Sequence, residues 1–368
     1  MSPGHVAGTS IGSARAELGG ADQSGVAGVV QAEVRDPQDE TRELTVWLLS
    51  DGAPGHLSQS RGIVDALATR RAVETHTIEL RIRSSFWKRL GRLLLPRIRD
   101  VGAWFERIYG IAPPPGRPDL IISSGANTLL ANALLARLHR APNVYSGTLK
   151  GYDPTAFDCV FSVVPLGVAC NHVLPLPPVP GELARPLSAA DGEALIAVLV
   201  GGDGAGYVFK DADWHAFADG LATLARREGA RLLLTTSRRT GAAAEAILRE
   251  ALPAELLADA VWWSQAPRRV MRDFLAAARA IVVTEDSLSM VAESLYSGRP
   301  VISVAPAVAQ PNANDGAALQ GYVERGLLAR SPIAELADAA FPARTAAIPD
   351  VQAEIAEVVL SLLERPTA

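Results

Sequence analysis

The strongest chemical signal in the sequence is a set of polar residues that follows the apolar, β-branched run at residues 280–284. Asp286 and Ser287 stand where this run ends and a short helical pattern begins. At the carboxyl edge of a sheet, the first N–H groups of the next helix have no partner and attract anions. The segment therefore predicts an anion-binding site at the start of this helix.

The same helical pattern carries carboxylates suited to sugar binding. Asp286, Met290 and Glu293 follow i, i+4, i+7 spacing, which predicts one shared face near the amino end of the helix. A carboxylate there can accept hydrogen bonds from two sugar hydroxyls. The alternative interpretation is structural, with Asp286 or Ser287 as N-cap, Glu293 solvated and Gly298 at C′.

Two other strand ends are expected at the same sheet edge. The glycine-rich stretch at 200–206 begins with Gly201 and Gly202 and offers exposed backbone amides of the kind that bind phosphate oxygens, although it lacks the Gly-Lys-Ser/Thr ending of a Walker loop. Arg238 and Arg239 follow the next strand, and arginine pairs strongly with phosphate. The alternative is a surface arginine pair beside a capping Ser237 or Thr240. Together the three strand ends predict a diphosphate site, with Glu293 placed for a ribose.

A candidate base lies near the first predicted strand. His56 follows a Gly- and Pro-containing turn and would stand at the start of a helix, where the dipole favours a neutral imidazole that can accept a proton. Asp51 or Asp153 could orient it or compete for the role. A capping or surface histidine is the alternative. Trp262 and Trp263 are candidates for a base pocket, with core packing of at least one of them as the alternative. Lys150 is a candidate for an acceptor or phosphate contact, with a surface lysine as the alternative.

Composition narrows the class of protein. The 368 residues are 48% hydrophobic and 20% charged, which is typical of a globular protein of two domains, and no apolar run approaches the roughly 20 residues of a membrane span. The net charge of −5 argues against non-specific nucleic-acid binding. With two cysteines and no signal pattern, a cytoplasmic location is expected, without disulfides or a metal site.

The charge is unevenly distributed. Residues 81–110 contain eight basic and two acidic residues, interleaved with aromatic and aliphatic side chains. Such a segment suits an anionic membrane surface, which predicts a peripheral location on the inner face of the membrane. A pair of ordinary amphipathic helices broken at Pro96 is the alternative.

Strand and helix patterns alternate along most of the chain, which predicts parallel sheets covered on both faces. Residues 1–42 lack a hydrophobic period and are expected to form a disordered tail. A proline-rich stretch from Leu174 to Pro186 separates two alternating halves. The predicted organisation is α/β with two Rossmann-like domains at 43–180 and 187–345 and a C-terminal helix at 346–368.

The motifs together resemble a known family. Asp51-Gly52 with Gly55-His56 and Gln59, the Gly201-Gly202 doublet, Ser237-Arg238-Arg239-Thr240, and Thr284 to Glu293 before Gly298-x-Pro300 resemble the "elongated mitochondria" mitochondrial-fission family and its bacterial members, over about Leu44 to Pro342. They are also similar to the transferase that adds N-acetylglucosamine during peptidoglycan synthesis. The resemblance implies a GT-B-like fold, in which the two domains face each other across a cleft.

What the resemblance implies about function is a metal-independent glycosyltransferase. It would move a sugar from a nucleotide-diphosphate sugar, with no separate cofactor, to a membrane-associated or cell-envelope acceptor. His56 would be the base, assisted by Asp51, and Glu293 the ribose ligand. The nucleotide site comprises Gly201, Gly202, Arg238, Arg239, Asp286, Ser287, Ser289, Met290 and Glu293. The alternatives are a nucleotide-sugar epimerase or hydrolase, and a non-catalytic membrane adaptor that keeps the fold.

Overall fold

The structure is a computed structural model, and it describes residues 42–184, 192–343 and 350–364. The predicted tail lies outside the described residues, apart from Arg42. Within these ranges no helix combines the length and apolarity needed to cross a membrane.

The first half of the chain forms a six-stranded parallel sheet in the order β2-β1-β3-β4-β5-β6. Its strands are β1 (Leu44–Ser50), β2 (Val73–Glu79), β3 (Leu120–Ser124), β4 (Asn143–Ser146), β5 (Cys159–Ser162) and β6 (Asn171–Val173). Its helices are α1 (Pro54–Ala68), α2 (Ser85–Leu94), α3 (Val101–Tyr109) and α4 (Leu129–His139). A 3₁₀ turn at Leu95–Arg97 contains Pro96 and separates α2 from α3, as the amphipathic-helix interpretation predicts.

The second half forms another six-stranded parallel sheet, in the order β10-β9-β7-β11-β12-β14. The strands of this half are β7 (Leu195–Leu199), β8 (Tyr207–Val208), β9 (Arg231–Thr235), β10 (Leu257–Val261), β11 (Ala280–Thr284), β12 (Val301–Ala305), β13 (Val308–Ala309) and β14 (Ala329–Pro332). Strands β8 and β13 form a separate antiparallel pair. The helices are α5 (Asp211–Arg227), α6 (Gly241–Ala251), α7 (Met271–Ala277), α8 (Leu288–Tyr296), α9 (Ala313–Glu324) and α10 (Val351–Leu363).

Both sheets follow from the same sequence pattern. Their central strands are apolar runs buried on both faces, such as residues 280–284, and this is the pattern of parallel strands with helices on either side. In each sheet the strand order reverses beside the first strand, between β1 and β3 and between β7 and β11. Ligands of open α/β sheets bind at the carboxyl ends of strands at such a switch point. The candidate residues therefore lie at the expected edge of each sheet.

The two halves share one hydrophobic core. Leu174, Leu176 and Val179 of the proline-rich stretch are buried within it, beside residues of α1, α8 and α10. Helix α10 packs against α1. On α10, Gln352 Nε2 donates to the Val179 carbonyl at 3.0 Å. The link between the sheets is therefore a packed element, and the division at 43–180 and 187–345 remains a prediction.

Several elements differ from the sequence prediction. The sequence pattern predicts strands at 76–81 and 261–263, whereas the structure has β2 at 73–79 and β10 at 257–261. Both are edge strands with partly exposed residues, so the apolar run that marks a central strand is weak in them. Helix α9 and strand β14 were not predicted, because their residues mix polar and apolar types without a clear period.

Candidate functional site

Three strand ends of the second sheet meet around the Asp286 carboxylate, whose side chain is fully buried. Arg239, which follows β9, places Nη2 2.6 Å from Asp286 Oδ2. Gly202, which follows β7, donates its N–H to the same oxygen at 3.1 Å. Burial raises the pKa of Asp286, while Thr284 and Arg239 oppose the shift. The predicted convergence of these strand ends is therefore present, with the buried Asp286 carboxylate paired with the more exposed Arg239 at its centre.

The glycine doublet differs from the prediction of exposed amides. Gly201 N–H donates to Thr284 Oγ1 at 2.7 Å, and both Gly201 and Gly202 are buried. A Cβ at Gly201 would lie 2.1 Å from Asp286 Oδ2, and a Cβ at Gly202 would lie 2.2 Å from the Arg239 carbonyl oxygen. Because these two amides bond within the protein, they are not free for phosphate. Both residues must be glycine so that the neighbouring strand ends can approach.

The two arginines have different environments. Arg239 bonds the Asp286 carboxylate and donates from Nη1 to the Asp286 carbonyl at 3.2 Å, so much of its hydrogen-bonding capacity is used within the protein. Arg238 is exposed and has no ion pair among the residues that the structure describes. Of the predicted pair, Arg238 is the one whose charge is free for a ligand.

The amino end of α8 has unpaired N–H groups. Ser287 occupies the N-cap position, but its side chain makes no capping hydrogen bond and instead lies 3.2 Å from Ser289 Oγ. Asp286 precedes the helix, and its carboxylate is held by Gly202 and Arg239, so it does not share a helical face with Met290 and Glu293 as predicted. The N–H groups of the first turn therefore remain open to an anion.

Glu293 lies one turn further along α8 and is partly buried. Burial raises its pKa from 4.5 to about 7, and a hydrogen bond with the Ser58 side chain opposes this shift. Ser58 belongs to α1 of the first half, so this contact crosses from one half to the other. The alternative of a solvated Glu293 is therefore wrong, whereas Gly298, with φ +82°, does follow the helix end in a left-handed conformation.

A second buried carboxylate supports the same loop. Glu285 accepts two hydrogen bonds from Arg330 on β14, both at 2.7 Å. It also accepts from Ser303 Oγ at 2.8 Å and from the Tyr207 hydroxyl at 3.3 Å. With four donors from three other elements, Glu285 fixes the loop that leads into α8.

The first half contributes a histidine–carboxylate pair. His56 Nδ1 lies 3.0 and 3.1 Å from the two Asp51 carboxylate oxygens. A carboxylate only accepts hydrogen bonds, so this contact assigns the ring proton to Nδ1 and leaves the Nε2 lone pair free. The His56 side chain is 42% exposed and Asp51 4%. Asp51 is therefore the orienting residue, while Asp153 caps a 3₁₀ turn by accepting from Thr155 N.

The turn after β3 packs directly on this pair. Gly125 has φ +92°, and a Cβ there would lie 2.3 Å from His56 Nδ1. In the same turn, Asn127 Oδ1 accepts from Lys88 Nζ at 2.9 Å. The His56 ring thus packs against a turn that Lys88 of α2 also contacts.

The amino ends of α1 and α8 meet across the cleft. A Cβ on Gly55 would lie 3.2 Å from Ser289 Oγ. The N-cap of α1 is Ala53, which has no capping side chain, and Pro54 takes the first helical position. Two helix ends without side-chain caps, one bearing His56 and one preceding Glu293, therefore border one space.

A tryptophan lies at the end of a neighbouring strand. Trp263 is 43% exposed, and the backbone N–H of Trp263 donates to Thr236 Oγ1 at 2.8 Å. The adjacent Ser264 is held through its N–H by the buried Glu245. Thr236 and Glu245 thus anchor the loop after β10, while the Trp263 indole stays exposed.

Several residues of this arrangement were not assigned to the site from sequence: Ser58, Lys88, Glu285 and Arg330. Glu285 adjoins Asp286 in the motif, but its partner Arg330 is 45 residues away and no spacing rule connects them. Ser58 lies between two motif residues, His56 and Gln59, and this position is the only signal that could have found it.

The fold is similar to that of known nucleotide-sugar proteins. The UDP-GlcNAc 2-epimerase of Methanocaldococcus jannaschii superposes with a TM-score of 0.55 at 12% identity, over 87% of this chain and 99% of that one. MurG of Acinetobacter baumannii gives a TM-score of 0.44 at 13% identity, over 87% and 91%. No curated protein matches the sequence. The fold is accordingly GT-B-like, with two parallel sheets.

A family model supplies the remaining comparison. Residues 178–327 match the family described as Mitochondrial fission ELM1. This range contains the glycine doublet, the arginine pair and the segment around α8, whereas His56 and Asp51 precede it. The resemblance inferred from the motifs is thereby confirmed: this segment of a GT-B-like chain is similar to the mitochondrial fission ELM1 family.

Proposed function

We propose that the protein is a glycosyltransferase that binds a nucleotide-diphosphate sugar between its two halves and transfers the sugar to an acceptor hydroxyl. Residues 43–180 would serve as the acceptor domain and residues 187–345 as the donor domain. The observation that carries the proposal is the His56–Asp51 pair, which stands at the start of α1 directly opposite the uncapped start of α8. A base and an anion site thus face each other across one cleft.

The donor would bind at the second half. The free N–H groups of Ser289 and Met290 and the unpaired charge of Arg238 suit the diphosphate. Glu293 would accept hydrogen bonds from the ribose hydroxyls, and Trp263 offers an exposed ring for the base. Asp286, Gly201, Gly202 and Arg239 would act indirectly, by holding the α8 loop in place.

The acceptor would react at the first half. His56 Nε2 takes the proton of the acceptor hydroxyl as its oxygen bonds to the anomeric carbon of the donor sugar. The bond from that carbon to the diphosphate oxygen breaks, and its electron pair leaves with the nucleoside diphosphate. Asp51 stabilises the imidazolium that forms, and the helix N–H groups stabilise the leaving group. This sequence describes an inverting transfer.

Calorimetry with a panel of nucleoside diphosphates tests the donor site. We expect at least one to bind the wild-type protein, and Glu293→Ala to weaken that binding because the ribose contact is lost. Glu357→Ala, which changes an exposed glutamate on α10, is the matched control and should bind as the wild type does. Absence of binding by every nucleotide to folded protein would contradict the proposal.

A membrane surface is the proposed location of the acceptor. Phe86 and Leu93, seven residues apart on α2, therefore share a face and are 66% and 73% exposed. Arg89 lies between them and is also exposed. Apolar side chains beside basic ones are the features of a helix that rests on an anionic membrane. The protein would then work as a peripheral protein at the cytoplasmic face.

Flotation with liposomes tests this surface. We expect recovery with vesicles that contain anionic lipid, less recovery at high salt, and loss of recovery in the Phe86→Ala, Leu93→Ala double variant. Leu138→Ala removes another exposed leucine, on α4, and serves as the control. Equal recovery with neutral vesicles would argue against the basic face.

A further inference from the structure

Lys88 belongs to α2, within the basic segment, but its ammonium lies beside the His56 site. Nζ donates to Asn127 Oδ1 at 2.9 Å. The Asn127 carbonyl in turn accepts from the Tyr109 hydroxyl at 3.1 Å, which ties this turn to α3. Asn127 is two residues from Gly125, which packs on the His56 ring. Lys88 is therefore held at a defined position on the rim of the site.

The surroundings of Lys88 differ from those of a surface lysine. It is partly buried, and burial lowers its pKa, an effect that the nearby Asp51 opposes. Asp51 does not pair with it, because the Asp51 carboxylate already bonds His56 and the Ala53 N–H. Among the residues that the structure describes, Lys88 has no ion-pair partner. A partly buried cation is thus left without a direct ion pair, and the nearby Asp51 carboxylate acts on it only at longer range.

Arg92 adds a second cation one helical turn later. Its Nη1 donates to the Lys150 carbonyl at 3.0 Å, which directs the guanidinium toward the loop after β4. Its charge is close enough to contribute to the lowered pKa of Lys88. Two like charges side by side destabilise each other unless an anion is bound between or beside them.

We infer that Lys88 and Arg92 form a subsite for an anionic group on the acceptor, of the phosphate class. This inference rests on the proposed transferase function and specifies its substrate: an acceptor that carries such a group near the hydroxyl that His56 deprotonates. The anion provides the direct ion pair that Lys88 lacks among the described residues, and Arg92 supplies charge-assisted hydrogen bonds. The exposed Phe86 and Leu93 are separate residues of the same helix, so lipid contact and acceptor selection can be varied independently.

Inorganic phosphate is the probe, titrated calorimetrically into full-length protein that is saturated with the tightest-binding nucleoside diphosphate, so that the start of α8 is occupied. We expect the wild type to bind phosphate, and Lys88→Gln and Arg92→Gln each to weaken the binding about tenfold or more. Lys88→Arg, which keeps the charge, should retain binding. Arg89→Gln removes an exposed charge from the same helix and should leave the affinity within twofold.

Failure of this inference is distinguishable from failure of the proposed function. If a nucleotide binds but phosphate does not, or if Lys88→Gln and Arg89→Gln bind phosphate equally, the subsite is wrong and the donor site stands. If no nucleotide binds, the same variants are compared without nucleotide. A selective loss in Lys88→Gln then supports the subsite although the transferase proposal has failed. Thermal unfolding of each variant confirms that the folded protein is compared.

Discussion

The two sides of the cleft treat their charged residues differently. On the side of the second sheet, the Asp286 and Glu285 side chains are 0% and 1% exposed, and each is paired with an arginine that is 36% exposed. On the side of the first sheet, His56 is 42% exposed and only its Asp51 partner is buried. The second side therefore uses its charges to fix a loop, whereas the first side presents an ionisable group to the cleft.

This difference teaches where ligand chemistry can reside. The bonded oxygens of these carboxylates cannot accept new donors without losing their partners, and the other Asp286 oxygen, Oδ1, is buried. The second side therefore offers a ligand its backbone N–H groups, Glu293 and Arg238. A partly exposed histidine held by one buried carboxylate keeps a free ring nitrogen. Binding is thus expected on one side and proton transfer on the other.

The largest expected effect comes from His56→Ala. Loss of a general base lowers turnover of a nucleotide sugar by about 10²- to 10⁴-fold. Nucleotide affinity should be unchanged, because His56 does not lie at the α8 anion site. His215→Ala, at an exposed histidine on α5, is the control in the same turnover and calorimetric assays. Full activity of His56→Ala would contradict the assignment of proton transfer to the first side.

On the second side, Arg330→Gln should act on stability. It leaves the buried Glu285 carboxylate without its bidentate partner, which lowers the free energy of unfolding by about 3–5 kcal/mol. Arg272→Gln breaks an ion pair with Glu182 in which both side chains are more than 60% exposed, and should cost less than about 1 kcal/mol. Urea denaturation measures both. Similar losses in the two variants would show that Glu285 is not a supporting element.

Glu293 makes stability depend on pH. Its pKa is about 7 in the folded protein against an ordinary 4.5, so the folded state binds this proton more tightly than the unfolded state. The free energy of unfolding then falls as pH rises from about 4.5 through 7, and Glu293→Gln lacks this loss. Relative to the wild type, the variant should gain at most about 3 kcal/mol between pH 4.5 and pH 8. A difference that does not vary with pH would refute the raised pKa.

The sequence predicts the second side better than the first. Asp286, the glycine doublet and Arg239 were expected to converge because each directly follows a strongly apolar strand, and parallel strands end at the same edge. What could not be predicted is the partner of each polar group. The Gly201 and Gly202 amides bond inward because Thr284 and Asp286 reach them, and spacing along the chain does not encode that contact.

The first side shows the limit more clearly. The residues of the first side leave both Asp51 and Asp153 as candidates to orient His56, and only the path of the Asp51 turn decides between them. Lys88 belongs to the basic segment at 81–110, and which of its residues face the site depends on how α2 is rotated against α4. The edge strand β2 begins three residues before its predicted start for a similar reason, because exposed positions carry little periodic signal.

The smallest effect tests whether the two sides touch. Ser58 on α1 hydrogen-bonds Glu293 on α8, and this bond lowers the pKa of Glu293. A hydrogen bond to a charged group contributes about 1.5 kcal/mol, so Ser58→Ala should raise that pKa by about one unit. The measurement is the difference in free energy of unfolding between Ser58→Ala and Ser58→Ala/Glu293→Gln as a function of pH. The midpoint of this curve should lie at higher pH than that of the wild type and Glu293→Gln. The control Ser361→Ala, on α10, should leave the midpoint in place. An unchanged midpoint would mean that α1 and α8 stand apart in solution, and the contrast between the two sides would then belong to two independent surfaces and not to one cleft.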